Sequence, residues 1–344
     1  MKPRVLLALG MLAGCGDVTP TGPRGPDDAG RDAGVSDTGP DTGTAPVDAP
    51  APTDVGPLPD VVDAAATVPP REACVRGDAG PRDRTMTVTY GGLVRSFLVH
   101  LPAGWDGRTA RQVVLNFHGR TSNATQQNLL SGMGPLADRH GFIAVHPQGI
   151  GDTWNAGLCC GEAQARQIDD VGFTRALLDA LEGALCIDTR RVYALGFSNG
   201  GFLSHRLGCA LSDRVAAIAS VAGTNLTTPC APSRPMPVLH IHGTADSVVW
   251  YQGYLGVAGV DRTMAEWADR NGCAPTSTPR FARGDVTCVQ WAGCRGRAEV
   301  RLCSVQGGGH QWPGGATIPL LGPNTTDLHA SEEAWQFFSA HALP

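Results

Sequence analysis

The stretch RVYALGFSNGGFLSHRLGCAL, residues 191–211, decides the fold. Its first part, RVYALG, is a nearly continuous apolar run of the kind expected in a strand buried on both faces, and GGFLSHRLGCAL reads as a helix. Between them Gly196-Phe197-Ser198-Asn199-Gly200 fits the G-x-S-x-G pattern, in which a serine sits on a sharp strand-to-helix turn with its oxygen exposed. In a chain with 45 glycines the pattern alone is weak, and Ser198 has an ordinary reading as a turn serine. The strand before it and the helix after it supply the context the pattern needs.

Outward from this stretch the same rhythm recurs. QVVLNFHG (112–119), FIAVHP (142–147), AAIASVAG (216–223) and PVLHIHG (237–243) are short apolar runs, each ending in glycine, proline or a polar residue. Helical patterns lie between them: Ile168, Val171, Leu178, Leu181 and Leu185 recur at helical spacing, as do Ala334, Phe337 and Phe338. Two antiparallel strands, TMTVTY (85–90) and LVRSFLVHLP (93–102), precede the series. Alternating strand and helix predicts an α/β fold, a mostly parallel sheet with helices on both faces and functional residues at the carboxyl ends of the strands.

On an α/β-hydrolase sheet the partners of an elbow serine follow in the order acid, then histidine, each on a loop after a later strand. Asp246, in HIHGTADSVV, follows His242 by four residues at the end of an apolar strand. Alone it reads as a turn aspartate. His310 lies in the glycine-rich QGGGHQWPGG directly after the strand AEVRLCSV, whereas His329 and His341 flank the last helix and read as surface groups. The chemistry needs these types together, because a neutral hydroxyl is a poor nucleophile without a base near pKa 7 that a carboxylate orients. The oxyanion donors expected are the backbone N–H of Asn199 and that of Arg120, after the strand VVLNF. His118 reads either as a base or, the reading preferred, as a residue that shapes the oxyanion loop. Asp169 and Asp170, adjacent acids before an apolar helix, read as caps rather than as paired-carboxylate machinery.

The amino terminus has another character. MKPRVLLALGMLAGC, residues 1–15, carries two cations, a short apolar run and then small residues, the make-up of an export signal. Leu12-Ala13-Gly14-Cys15 resembles a bacterial lipobox, which implies a lipid on Cys15, and Gly16 after it implies sorting to an outer membrane where the host has one. The alternative is a plain secretory signal. Residues 16–82, rich in Asp, Pro, Gly, Ala and Thr and without an aromatic ring, read as a disordered linker. They hold twelve acids against five arginines, a charge of −7 that Lys2 and Arg4 bring to the formal net −5, and residues 83–344 balance to zero. That balance lacks the basic footprint of a nucleic-acid binder. No later stretch approaches a transmembrane span.

Besides Cys15 there are ten cysteines, an even number that favours disulfides in an exported chain. Cys209 with Cys230, and pairs within Cys273, Cys288, Cys294 and Cys303, are the plausible local closures. The paired C-x-x-C spacing of a zinc site is missing, and no metal or cofactor is expected.

Residues 84–342 resemble the exported esterases that include poly(3-hydroxybutyrate) depolymerases and feruloyl or acetylxylan esterases. LNFHGR, WNAGLCCG, IDDVGF, CIDTRRVYALGFSNGGFLSHRLGC, HIHGTADSVV and GGGHQWPGG each resemble a family block, in the family's order. The resemblance implies Ser198, Asp246 and His310 as a triad, with Trp154, Asn155 and Trp312 lining the mouth of the site; His118, from its own position, is grouped with these as a substrate-binding candidate. Many members carry cysteine where this chain has Arg120. The expectation is a tethered serine carboxylesterase working through an acyl-enzyme on short-acyl, hydroxyalkanoate or hydroxycinnamate esters. A surface-binding lipoprotein without turnover and a serine peptidase of the same fold are the alternatives.

Overall fold

The structure, a computed structural model, describes residues 80–254 and 256–344. The expected signal, Cys15, Cys74 and most of the expected linker lie outside the described residues.

Twelve strands form among the described residues: β1 Asp83–Tyr90, β2 Leu93–His100, β3 Arg111–Phe117, β4 Ile143–Pro147, β5 Ile187–Phe197, β6 Ala217–Val221, β7 Val238–Gly243, β8 Gly253–Tyr254, β9 Val257–Ala258, β10 Thr278–Arg283, β11 Val286–Trp291 and β12 Val300–Val305. The α-helices are α1 Ala124–Ser131, α2 Met133–His140, α3 Gly161–Ala165, α4 Asp170–Ala184, α5 Asn199–Ala210, α6 Val260–Arg270 and α7 Ala330–Ser339. Ten strands make one sheet in the order β1-β2-β4-β3-β5-β6-β7-β12-β11-β10. From β4 to β12 neighbouring strands are parallel, and antiparallel pairs finish both ends. Each strand read from an apolar run is present.

The period of two along each strand sorts the core into two layers. Val113, Leu115 and Phe117 of β3, with Val192 and Ala194 of β5, face Phe173, Leu177 and Leu181 of α4, Phe202 and Leu203 of α5, and Trp267 of α6. Val114 of β3 and Tyr193, Leu195 and Phe197 of β5 face the other way, toward Leu136 of α2 and Trp335, Phe337 and Phe338 of α7. With helices burying both faces, the carboxyl ends of the parallel strands are where loops are free to carry side chains for chemistry.

One hairpin lies beyond what the sequence predicts, and one expectation needs correction. β10 and β11 were not legible as strands: they form an edge hairpin whose residues are largely exposed or half-buried, so TPRFAR carries no apolar signature. His341 is not a surface group, since its side chain is 9% exposed and its ring packs on Phe337 with centroids 4.8 Å apart. His329, before α7, is exposed as expected.

Candidate active site

Ser198 stands alone between the last residue of β5 and the first of α5, at φ 53° and ψ −117°. Positive φ is uncommon for a residue with a side chain and costs on the order of 1–3 kcal/mol, so the surroundings must hold it. They do: Ser198 N–H donates to Val221 O at 2.8 Å, and Ser198 O accepts from Phe202 N at 2.9 Å. The flanking glycines are required by contact. A Cβ on Gly196 would lie 2.2 Å from Gly200 O, and one on Gly200 would lie 2.2 Å from Phe117 O. Helix α5 starts without a side-chain cap, so its first-turn N–H groups and the positive end of its dipole are directed at the serine turn.

The loops after β7 and β12 bring Asp246 and His310 together. His310 Nδ1 donates to Asp246 Oδ2 at 2.7 Å, with both side chains buried. Asp246 Oδ1 accepts from the N–H groups of Val248 and Val249, each at 2.8 Å, and His242 Nε2 lies 3.3 Å from Oδ2. Burial alone would raise the Asp246 carboxyl, but the hydrogen bonds from His242 and His310 outweigh it and hold the group well below the usual carboxylate range. The His310 ring packs on Phe197, the neighbour of Ser198, at 4.9 Å between centroids. Its loop is braced by His310 N–H to Leu321 O at 2.7 Å and Gly309 N–H to Pro323 O at 2.8 Å.

The turn after β3 lies against the elbow: a Cβ on Gly119 would stand 3.4 Å from Ser198 Cβ. Arg120 follows it. His118 shapes this turn, as preferred from the sequence. Its Nδ1 donates to Gly119 O at 2.8 Å and its Nε2 accepts from Gly149 N–H at 3.0 Å, so one neutral tautomer fits both partners. Burial lowers its pKa to about 4. It is fully buried with both ring nitrogens used, which removes it from the substrate-contacting set.

Trp154 and Trp312 are corrected in the same way. Both are fully buried; Trp154 Nε1 donates to His118 O at 2.9 Å, and Trp312 Nε1 to Ser331 Oγ at 3.1 Å. Neither lines a mouth. Asn155, 5% exposed, spends its side chain on Ile168 O at 2.9 Å and on Arg206 at 2.8 Å. The three back the site instead of facing a ligand. A sequence shows that an indole is present, not which way it points.

Two further supports escaped sequence reading. The Asn199 side chain, expected to matter only through its backbone, pairs with Trp154: Oδ1 accepts Trp154 N–H at 2.7 Å and Nδ2 donates to Trp154 O at 3.0 Å. Asp169 caps α4 by accepting from Gly172 N–H at 2.8 Å, but Asp170 is no cap. It is buried, paired with buried Arg95 at 2.8 Å, and accepts Asn155 N–H at 2.7 Å. Arg95 in turn lies 3.8 Å from the centre of the Phe173 ring. Burial pushes the Asp170 carboxyl upward, against the pull of Arg95 and the Asn155 N–H.

The exposed apolar groups at this end of the sheet differ from those expected. Leu158 follows the Trp154 segment, Val248 and Trp250 follow Asp246, and Leu320 belongs to the loop after His310. Trp250 is 54% exposed, with its ring edge toward Tyr254 at 5.9 Å.

The disulfides follow the expected closures, Cys209–Cys230, Cys273–Cys294 and Cys288–Cys303. The last joins residues directly opposite on β11 and β12. Adjacent Cys159 and Cys160, in the segment after Trp154, bond to one another, a pairing the spacing did not suggest. Cys186 is disulfide-bonded as well.

Comparison with known proteins bears on this site. No protein-family model matches the chain. Feruloyl esterase B of Piromyces equi is 34% identical over 63% of this chain, which spans only 42% of that protein's length. "Putative esterase NocK" of Nocardia uniformis subsp. tsuyamanensis is 31% identical over 322 residues, 85% of this chain and 91% of the relative. Feruloyl esterase D of Neurospora crassa is 26% identical over 80% of this chain and 92% of its own. In fold, an acetyl xylan esterase from Aspergillus awamori superposes with a TM-score of 0.55 at 13% identity, covering 74% of this chain and 99% of its own. A CE1 ferulic acid esterase from Anaeromyces mucronatus, solved with ferulic acid, gives 0.50 at 17% identity, covering 75% and 90%. With this sheet order, a serine at the β5–α5 turn and a relative matched over nine-tenths of its length, the chain has the α/β-hydrolase fold and belongs to the esterase family of that relative.

Proposed function

We propose that the protein is an exported serine esterase that cleaves hydroxycinnamate or short-acyl esters through an acyl-enzyme on Ser198. The hydrogen bond from His310 to Asp246, on the loops that follow β12 and β7, is the observation that carries the reading. Ser198 Oγ attacks the ester carbonyl as His310 takes its proton, and Asp246 stabilises the imidazolium that forms. The backbone N–H groups of Asn199 and Arg120 receive the developing oxyanion. His310 then gives the proton to the leaving alcohol, and water, activated by the same imidazole, releases the acid and restores Ser198. No step calls for a metal or cofactor.

The names of the relatives support hydroxycinnamate or acetyl groups as the acyl part. Hydroxyalkanoate esters are the second substrate class. The exposed Leu158, Val248, Trp250 and Leu320 offer a flat ring or a short aliphatic chain an apolar contact. The disulfides fit an oxidising compartment, and a lipid on Cys15 would hold the enzyme at a membrane, with residues 16–82 between anchor and catalytic domain.

A fluorophosphonate should label Ser198 of the wild-type protein, and methyl ferulate and p-nitrophenyl acetate should be hydrolysed while the matching anilide is not. Absence of labelling and of turnover sinks the assignment, and turnover of the anilide alone points to a peptidase. For the anchor, Cys15→Ser should move the protein from the membrane to the soluble fraction; soluble wild-type protein with an unmodified Cys15 refutes it.

A further inference from the structure

Behind Asp246 runs a line of buried imidazoles that the acyl-enzyme mechanism does not use. Trp267 Nε1 of α6 donates to His205 Nδ1 of α5 at 3.0 Å. His205 Nε2 lies 3.4 Å from His240 Nδ1, and His240 Nε2 lies 3.0 Å from His242 Nδ1, both on β7. His242 Nε2 lies 2.8 Å from Val249 O and 3.3 Å from Asp246 Oδ2. All three histidines are essentially fully buried.

The donors fix the direction of the whole line. An indole N–H can only donate, so His205 Nδ1 is an acceptor and its proton is on Nε2. That N–H faces His240 Nδ1, at the longest link, with the Gly223 carbonyl also beside the ring. A carbonyl can only accept, so at the other end His242 Nε2 carries a proton. His240 then donates from Nε2 to His242 Nδ1. Every ring is a neutral Nε2–H tautomer, and every N–H points the same way, toward the acid loop.

We infer that His242, backed by His240, His205 and Trp267, is a positioning residue for Asp246, and the inference rests on the triad assigned above. Its single N–H is shared by Val249 O and Asp246 Oδ2, while Asp246 Oδ1 holds Val248 and Val249 N–H, so the turn 246–249 is clamped from both sides. Three imidazoles in an otherwise apolar layer are costly unless each polar atom is paired, and a leucine would fill the space with no such demand. The line also joins the helix that follows Ser198 to the loop that carries the acid. The other polar or charged groups facing it are Tyr251, whose ring edge meets His242 at 5.8 Å and whose hydroxyl contacts Ser304 and Asp261, and Arg270 near His205.

Without His242, Asp246 Oδ2 has only His310 as donor, so more of its negative charge falls on that imidazole and protonated His310 is favoured. The acid limb of the pH profile of kcat/KM, measured with p-nitrophenyl acetate, should therefore move to higher pH by about half a unit in His242→Leu. The kcat should fall several-fold with KM little changed. His242→Gln, whose amide can donate at similar reach, should restore both. An acid limb unmoved in the leucine variant, or moved equally in both variants, overturns the inference. Should the leucine variant not fold, the 15N spectrum of wild-type protein labelled at histidine decides: all three rings protonated at Nε2 and not at Nδ1 supports the line, and any other tautomer refutes it. Full turnover in Ser198→Ala would instead remove the triad reading itself, so the two failures are distinct.

Discussion

Asn199 and Trp154 close a two-hydrogen-bond ring across the elbow, side-chain amide against peptide, at 2.7 and 3.0 Å. The residue proposed to give the oxyanion its N–H is thereby fixed to the segment that backs the site. Asn199→Ala would leave a buried N–H and a buried carbonyl unpaired, at about 1–3 kcal/mol each. Urea denaturation should show that loss, and kcat should fall more than KM rises. Asn199→Asp, which keeps the acceptor and loses the donor, should fall between alanine and wild type in stability.

Ser198→Ala should abolish acylation while the protein keeps its stability, because the hydroxyl makes none of the backbone hydrogen bonds that hold the turn. Turnover should drop by several powers of ten, and His310→Ala should cost nearly as much. The double variant should be scarcely worse than either, since nucleophile and base act as one unit. Losses that multiply in steady-state kinetics would mean that the two residues work separately. Asp246→Ala should cost less in kcat than either.

Acid should destabilise the fold well before its carboxylates are protonated. Burial lowers His118 to about 4 and His146 and His205 to about 3. Unfolded, each titrates near 6.5, so between that value and the folded one the unfolded chain binds more protons and stability drops as pH is lowered. The contribution is complete above 6.5 and is lost at about 1.4 kcal/mol per pH unit for each histidine as pH drops through this window. Asp170, pushed upward by burial, opposes the trend toward the acid end. The urea midpoint should be flat from pH 8 to 7 and decline from 6.5 to 4.5; a flat profile across both ranges contradicts the burial of neutral imidazoles.

With Trp154 and Trp312 buried, the exposed indole that the proposed function leaves for an aromatic acyl group is Trp250, four residues beyond Asp246. Trp250→Ala should raise KM for methyl ferulate several-fold and leave p-nitrophenyl acetate nearly unaffected. Equal effects on both esters would show that the indole serves the loop, not the acyl group. Palmitate esters should be poor substrates for the wild type.

The Cys273–Cys294 bridge closes 21 residues at the foot of α6 and should contribute about 2–4 kcal/mol. Replacing both cysteines by alanine should lower the thermal midpoint by several degrees. The kcat/KM at 25 °C should be unchanged, and a large fall would connect this end of α6 to the site.

The sheet was readable because strands buried on both faces leave continuous apolar runs, and the order of Ser198, Asp246 and His310 was readable because each follows such a run. Helix α1, ATQQNLLS, buries Ala124, Gln127 and Ser131, with no apolar stripe to find. Asp170 looked like a second cap because its counter-ion, Arg95, lies 75 residues away on β2. The Asn199–Trp154 ring joins residues 45 apart by an amide on one side and bare backbone on the other, and backbone partners leave no trace in side-chain pattern.

The two antiparallel ends of the sheet are unlike. β10 carries Pro279, Arg280 and Arg283, and its register slips between Pro279 and Phe281. Proline, charge and a bulge are what natural sheets use to stop another strand from docking. β1, DRTMTVTY, runs through eight unbroken pairs with β2, and its interior from Thr85 to Thr89 has neither charge nor proline. Among the described residues, one border of the sheet therefore carries features that oppose self-association and the other does not. In concentrated protein, aggregation should begin at β1, and a lysine at Thr87, at the centre of that strand, should delay it.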